Sequence, residues 1–100
     1  MNAIISGLNK AFDNRIRLGI MAVLSVNERL DFNSLKELLL ITDGNLATHL
    51  KALEKSEFVA VQKRFVGRKP NTVYSITSTG KEAFQLHLNA LERIIEPLST

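Results

Sequence analysis

The residues best suited to chemistry lie between Asp43 and Asn71. In N-L-A-T-H-L-K-A-L-E-K, Leu46, Leu50 and Leu53 recur at helical spacing on one face. At about 100° per residue, Gly44, Thr48, Lys51, Ala52 and Lys55 point roughly the opposite way, with Asn45 on the flank. Downstream, V-A-V-Q-K and T-V-Y-S-I bracket the tip R-F-V-G-R-K-P-N. Asn bonds bidentately to adenine, and Thr offers a hydroxyl to a base edge or a methyl to thymine. Lysines and arginines neutralise phosphates. The chemistry implied is recognition of a polyanion with readable edges.

Charge placement supports that reading. Six basic residues between Asp43 and Asn71 (Lys51, Lys55, Lys63, Arg64, Arg68, Lys69) face three acidic ones, accounting for the whole net charge of +3. A localised surplus is the electrostatic footprint of a nucleic-acid surface. Asn45, Thr48 and His49, near the helix start, are the candidates for base contact, and Gly44 and Ala47 would let the backbone approach. His49 lies at the boundary between inner and outer faces, so it serves equally as a packing or capping residue. Lys51 and Lys55 suit phosphates. Arg64, Arg68 and Lys69 are the strongest tip candidates, Arg68 being placed by Gly67 to enter a minor groove or bridge phosphates, with Lys63 on the strand flank.

Other chemistries find little support. The chain has two histidines and no cysteine, which excludes disulfides and thiolate metal sites. It carries no glycine-rich phosphate loop and no H-E-x-x-H or G-x-S-x-G spacing, so no enzyme, cofactor or metal is expected. The start M-N-A-I-I-S-G-L-N-K has no charged segment followed by a long apolar run. That points to a soluble cytoplasmic protein without a membrane partner.

The elements that must position these groups are legible in outline. One hundred residues with 45% apolar content make one domain, 1–100, uninterrupted by linker or repeat. Ile4, Ile5, Leu8, Ala11 and Phe12 predict an N-terminal helix over 1–12. Asp13 or Asn14 caps a second helix carrying Ile16, Ile20, Val23 and Leu24. Leu30-Asp31-Phe32 alternates like a very short strand. Asn33 or Ser34 then caps a helix with Leu35, Leu38 and Leu39 inward, and Thr42 or Asp43 caps the helix over about 43–55. Phe58–Lys63 and Thr72–Ile76 have strand composition. Thr77, Ser78 or Thr79 caps a long helix over 79–96 with Phe84, Leu88, Leu91 and Ile95 in line, ended by Pro97. The fold class is mainly α with a small β-hairpin (α+β), a winged helix-turn-helix in which the hairpin tip, about 63–72, is the wing. The last helix is broader in apolar coverage than one small core requires, and together with the first is expected to form a homodimer interface, the alternative being that it folds back onto its own domain.

The run L-K-E-L-L-L-I-T-D-G-N-L-A-T-H-L-K-A-L-E-K-S-E-F-V, followed by K-R-F-V-G-R-K-P-N-T-V-Y-S-I-T-S-T-G-K-E-A-F, resembles the winged-helix transcriptional regulators related to the MarR and ArsR groups. The resemblance covers about Asp13 to Leu91. It implies a homodimeric, sequence-specific double-stranded DNA-binding regulator, usually a repressor near its own operon. It maps base reading onto Asn45, Thr48 and His49, and wing contacts onto Arg64, Arg68 and Lys69. Metal-sensing members use cysteines or histidine–carboxylate clusters, and His87 with Glu92 and Glu96 does not reproduce that pattern. A small-molecule effector is compatible with the family, but no residue identifies one. At Ser56-Glu57 the family often continues with a glycine-like turn, where this chain has Phe58. The alternatives are a winged-helix protein–protein adaptor, which needs no cationic wing, and a binder of nucleic acid without sequence preference.

Overall fold

The computed structural model describes residues 4–97. A 3-10 turn, Lys10–Phe12, precedes α1 (Arg15–Ser25), β1 (Leu30–Asp31), α2 (Phe32–Leu39), α3 (Asp43–Lys55), β2 (Val59–Val66), β3 (Lys69–Ile76) and α4 (Ser78–Ile95). The three strands form one antiparallel sheet in the order β1-β3-β2. This is the α+β winged-helix arrangement.

Side-chain caps set the helix starts. The Asn14 side chain accepts the N–H groups of Ile16 and Arg17 to open α1. The Thr42 hydroxyl accepts Asn45 N–H to open α3, and the Thr77 hydroxyl accepts Gly80 N–H to open α4. One expected cap is wrong: α2 is opened by Asp31, whose carboxylate accepts Ser34 N–H, not by Asn33 or Ser34. Asp31 ends β1 in an extended conformation and so meets the geometry an N-cap requires. On α2 only Leu35 is fully buried. Leu39 is half-buried, and Leu38, expected inward, faces solvent because the helix turns it off the core-facing stripe.

The expected N-terminal helix is also corrected. Residues 4–7 form turns, and helical structure is limited to Lys10–Phe12; residues 1–3 lie outside the described residues. The reason is tertiary. The segment crosses α4 so closely that a Cβ on Gly7 would sit 3.0 Å from that of Ala90. Asn9 N–H donates to His87 Nδ1 at 3.0 Å, while the Asn9 side chain caps the 3-10 turn. Phe12 is buried between Phe58, Phe84 and His87.

The core joins Ile20, Met21 and Leu24 of α1 with Leu35, with Leu46, Leu50 and Leu53 of α3, and with Val59, Tyr74 and Phe84. Where α3 ends, Phe58 N–H bonds to the Leu53 carbonyl and Glu57 N–H to that of Glu54, with Glu57 left-handed at φ 64°. That is a Schellman closure, which favours glycine at this residue. Thr77 N–H donates to the Phe58 carbonyl, and its hydroxyl donates to the Glu57 carbonyl. Gly80 presses against the same strand start, so that an added Cβ would lie 2.1 Å from the Phe58 oxygen. One glycine therefore lets α3, β2 and α4 converge.

Two substitutions at this junction should act in opposite directions. Gly80→Ala should destabilise the fold by about 1–3 kcal/mol, through forced displacement of backbone. Glu57→Gly should raise stability by up to about 1 kcal/mol by relieving the left-handed conformation. Urea unfolding of the three proteins measures both.

Candidate nucleic-acid interface

The helix α3 sorts its residues by burial. Leu46, Leu50 and Leu53 are 0%, 1% and 0% exposed, whereas Asn45, Ala47, Thr48, Lys51, Ala52 and Lys55 are on the surface. Asn45 is not consumed by capping, because Thr42 performs that role. Among the described residues its side chain makes no hydrogen bond, nor does that of Thr48. Lys36 bridges from α2 to Asp43 in the first turn of α3 at 2.8 Å. Both groups are solvated, so this pair orients more than it stabilises.

His49 differs from its neighbours. It is half-buried, with Nδ1 lying 3.1 Å from Arg17 Nη1 of α1, and Arg17 Nε donates to the Ala11 carbonyl. Arg17 was not among the residues singled out from the sequence. Its only signal there is that it is one of two arginines, Arg15 and Arg17, flanking the apolar position Ile16. His87 is 7% exposed and belongs to the packing of the N-terminal segment.

The wing is longer and more regular than composition suggests. Its strands run to Val66 and from Lys69, which leaves only Gly67 and Arg68 at the turn, with Gly67 at φ 66°. Pairing continues through Lys63↔Thr72, Arg64↔Asn71, Phe65↔Pro70 and Val66↔Lys69. Strand alternation therefore divides the cations. Lys63 and Phe65 project from the face that carries Val59 and Tyr74 into the core. Arg64 and Lys69 project from the other, and Arg68 sits at the tip. The four cations are exposed. Phe65, 74% exposed, and Val66 are apolar tip residues that the sequence reading did not assign.

A polar chain ties the wing to the helices. Arg64 Nε donates to Asn71 Oδ1 at 3.0 Å, and Asn71 Nδ2 donates to Asp31 Oδ2 at 3.4 Å. Asp31 is the α2 cap, so the base of the wing and the start of the helix-turn-helix share one carboxylate. The Ser34 backbone N–H, with the Ser34 hydroxyl, Asn71 and the Arg64 charge, holds that carboxyl below its ordinary value of 3.8. On the opposite sheet face, burial and then the Glu54 charge raise the Tyr74 phenol above 10.0, marking where the sheet meets α3.

Residues 16–95 match the family model described as a winged helix DNA-binding domain. The chain belongs to that family. An uncharacterized protein of Methanocaldococcus jannaschii is 40% identical to this winged-helix chain over 79 residues, 79% of this chain and 86% of that one. The transcriptional regulator homologue protein from Pyrococcus horikoshii OT3 superposes with a TM-score of 0.84 at 31% identity, covering 97% of this chain and 94% of that one. MarR superposes with a TM-score of 0.75 at 20% identity, covering 90% and 65%, a likeness of fold. No helix among the described residues is long and apolar enough to cross a membrane.

The Asp31 tie has a pH signature. Because its folded value is depressed, the carboxylate's stabilisation is complete above 3.8 and is lost as pH falls through the lower folded value. Asp31→Ala should cost about 1 kcal/mol at neutral pH, the worth of a cap. The difference from the unmodified protein should shrink as pH drops below that range. Thermal melts across acid pH would detect a gap that instead stays constant.

Proposed function

We propose that this protein is a homodimeric, sequence-specific double-stranded DNA-binding transcriptional regulator acting as a repressor. α3 (Asp43–Lys55) enters the major groove and the wing lies on the backbone or minor groove. The observation that carries the reading is the division of α3. Its leucines are buried, while Asn45, Thr48, Lys51 and Lys55 remain on the surface, followed in the same chain by a projecting cationic hairpin. In this reading Asn45, Thr48 and His49 meet base edges, Lys51 and Lys55 meet phosphates, and Lys63, Arg64, Arg68 and Lys69 serve the wing.

The dimer reading is supported by shape and by surface. The radius of gyration is 15.5 Å with extents of 60 × 25 × 21 Å, against about 13 Å for an ordinary compact domain of this length. On α4, Leu88, Leu91 and Ile95 follow one another at helical spacing and are exposed, Ile95 by 73%. A second copy covering that stripe would set two α3 helices in successive major grooves about 34 Å apart. An effector would act by altering that spacing through the terminal segments.

Selection from random duplexes followed by salt titration tests the regulator. A dimer neutralising about eight phosphates should show log affinity falling against log salt with a slope near −7. Arg68→Ala should weaken binding to all sequences and flatten that slope. Asn45→Ala should instead lose about 1–3 kcal/mol of preference at one base pair per half-site. Equal losses on selected and random duplexes would remove Asn45 from base reading, and absence of any duplex binding would favour an adaptor. Separately, Leu91→Glu should convert the dimer to monomer in sedimentation. It should also lower affinity for a two-half-site duplex by at least about tenfold, as each half-site then binds alone.

A further inference from the structure

Arg17 is fixed at two points beside α3. From the first turn of α1 its Nε donates to the Ala11 carbonyl, and its Nη1 lies 3.1 Å from His49 Nδ1. A guanidinium has five N–H donors and no acceptor, so this second bond runs one way only, from Arg17 to the ring. An imidazole whose Nδ1 accepts is neutral and carries its proton on Nε2. Among the described residues Nε2 has no hydrogen-bond partner, and no side-chain nitrogen or oxygen is both buried and unpartnered. The Nε2–H is therefore not sealed from solvent. His49 follows Thr48 by one residue and Asn45 by four on the same helix.

We propose that Arg17 is a positioning residue that turns His49 into a single-donor reader, presenting Nε2–H to the N7 acceptor of a purine in the major groove. The inference rests on the DNA-binding reading above. Free histidine offers two tautomers and a rotating ring, so it donates or accepts at either nitrogen. With Nδ1 engaged, only the donor remains free, and the ring is held by a side chain that is itself tied to backbone. A donor matches purine N7, whereas cytosine presents its amino donor at the groove edge and is disfavoured. Lysine cannot replace Arg17 here, because a single ammonium does not reproduce the planar fork that reaches Ala11 and His49 together.

Three variants test this. Arg17→Lys keeps the charge and so the phosphate attraction, but loses the two-point hold. His49→Gln places an amide N–H near the position of Nε2, whereas His49→Asn ends near Nδ1 and leaves nothing beyond it. Each protein, with thermal melts confirming a folded state, is used to select from random duplexes. Binding is then measured to the selected site and to a copy in which each purine in turn is a deaza analogue lacking N7. The unmodified protein should lose about 5- to 100-fold in affinity at one purine per half-site on losing that N7. Arg17→Lys and His49→Asn should abolish that sensitivity with the salt slope unchanged, and His49→Gln should retain most of it. An Arg17→Lys protein with undiminished N7 sensitivity overturns the positioning role, and a His49→Asn protein with undiminished sensitivity overturns His49 as the reader. Should Arg17→Lys fail to fold, the His49 pair decides the reader, and Arg17→Met, judged by the same sensitivity, decides the positioning. Failure of the unmodified protein to enrich any sequence overturns the regulator reading itself, a result distinguishable from both.

Discussion

The molecule depends on the seating of three leucines. Leu46, Leu50 and Leu53 of α3 are sealed against α1, α2 and the sheet. Their burial stabilises by roughly 5–9 kcal/mol in gross terms. The Thr42 cap contributes only about 1 kcal/mol. Burial thus decides how the helix is rotated about its axis, and every other residue on it follows. Asn45, Thr48, Lys51 and Lys55 are turned outward because the leucines are turned inward. His49, at the margin of the two faces, is left to be captured by whatever lies beside it, which is Arg17.

The wing inherits its place from two junctions of different character. One is steric: the left-handed Glu57, the Thr77 bonds and the bare Cα of Gly80 force β2 to leave α3 directly over the start of α4. The other is polar: Asp31 caps α2 while accepting from Asn71, which in turn accepts from Arg64. The same carboxylate therefore links the cationic hairpin to the helix pair. A wing anchored at both ends of its base can project far without losing its relation to α3, in keeping with the elongated outline of the chain.

Much of this arrangement was legible beforehand, for identifiable reasons. The α3 boundaries, the hairpin, and the caps of α1, α3 and α4 to within two or three residues follow from signals carried locally: an apolar stripe, an oxygen-bearing side chain at a helix start, β-branched runs on either side of a glycine. The structure then chose Asn14, Thr42 and Thr77. The N-terminal segment did not follow such signals. Ile4, Ile5, Leu8, Ala11 and Phe12 have helical spacing, yet Gly7 and Asn9 are engaged by Ala90 and His87, residues far along the chain. The α2 cap moved to Asp31 because β1 ends there. Leu38 turned outward because the core accepted only Leu35 fully from α2.

The sequence by itself determined which residues could meet a polyanion, since charge, side-chain type and local periodicity are properties of neighbouring positions. It also determined the fold class, because an amphipathic helix pair followed by a cationic hairpin has few ways to bury its apolar faces. Only the tertiary structure decided how those residues are held: that Asp31 joins wing to helix, and that Arg17 commits one nitrogen of His49. Each of these joins groups whose proximity comes from packing, and packing distances are not written in local spacing.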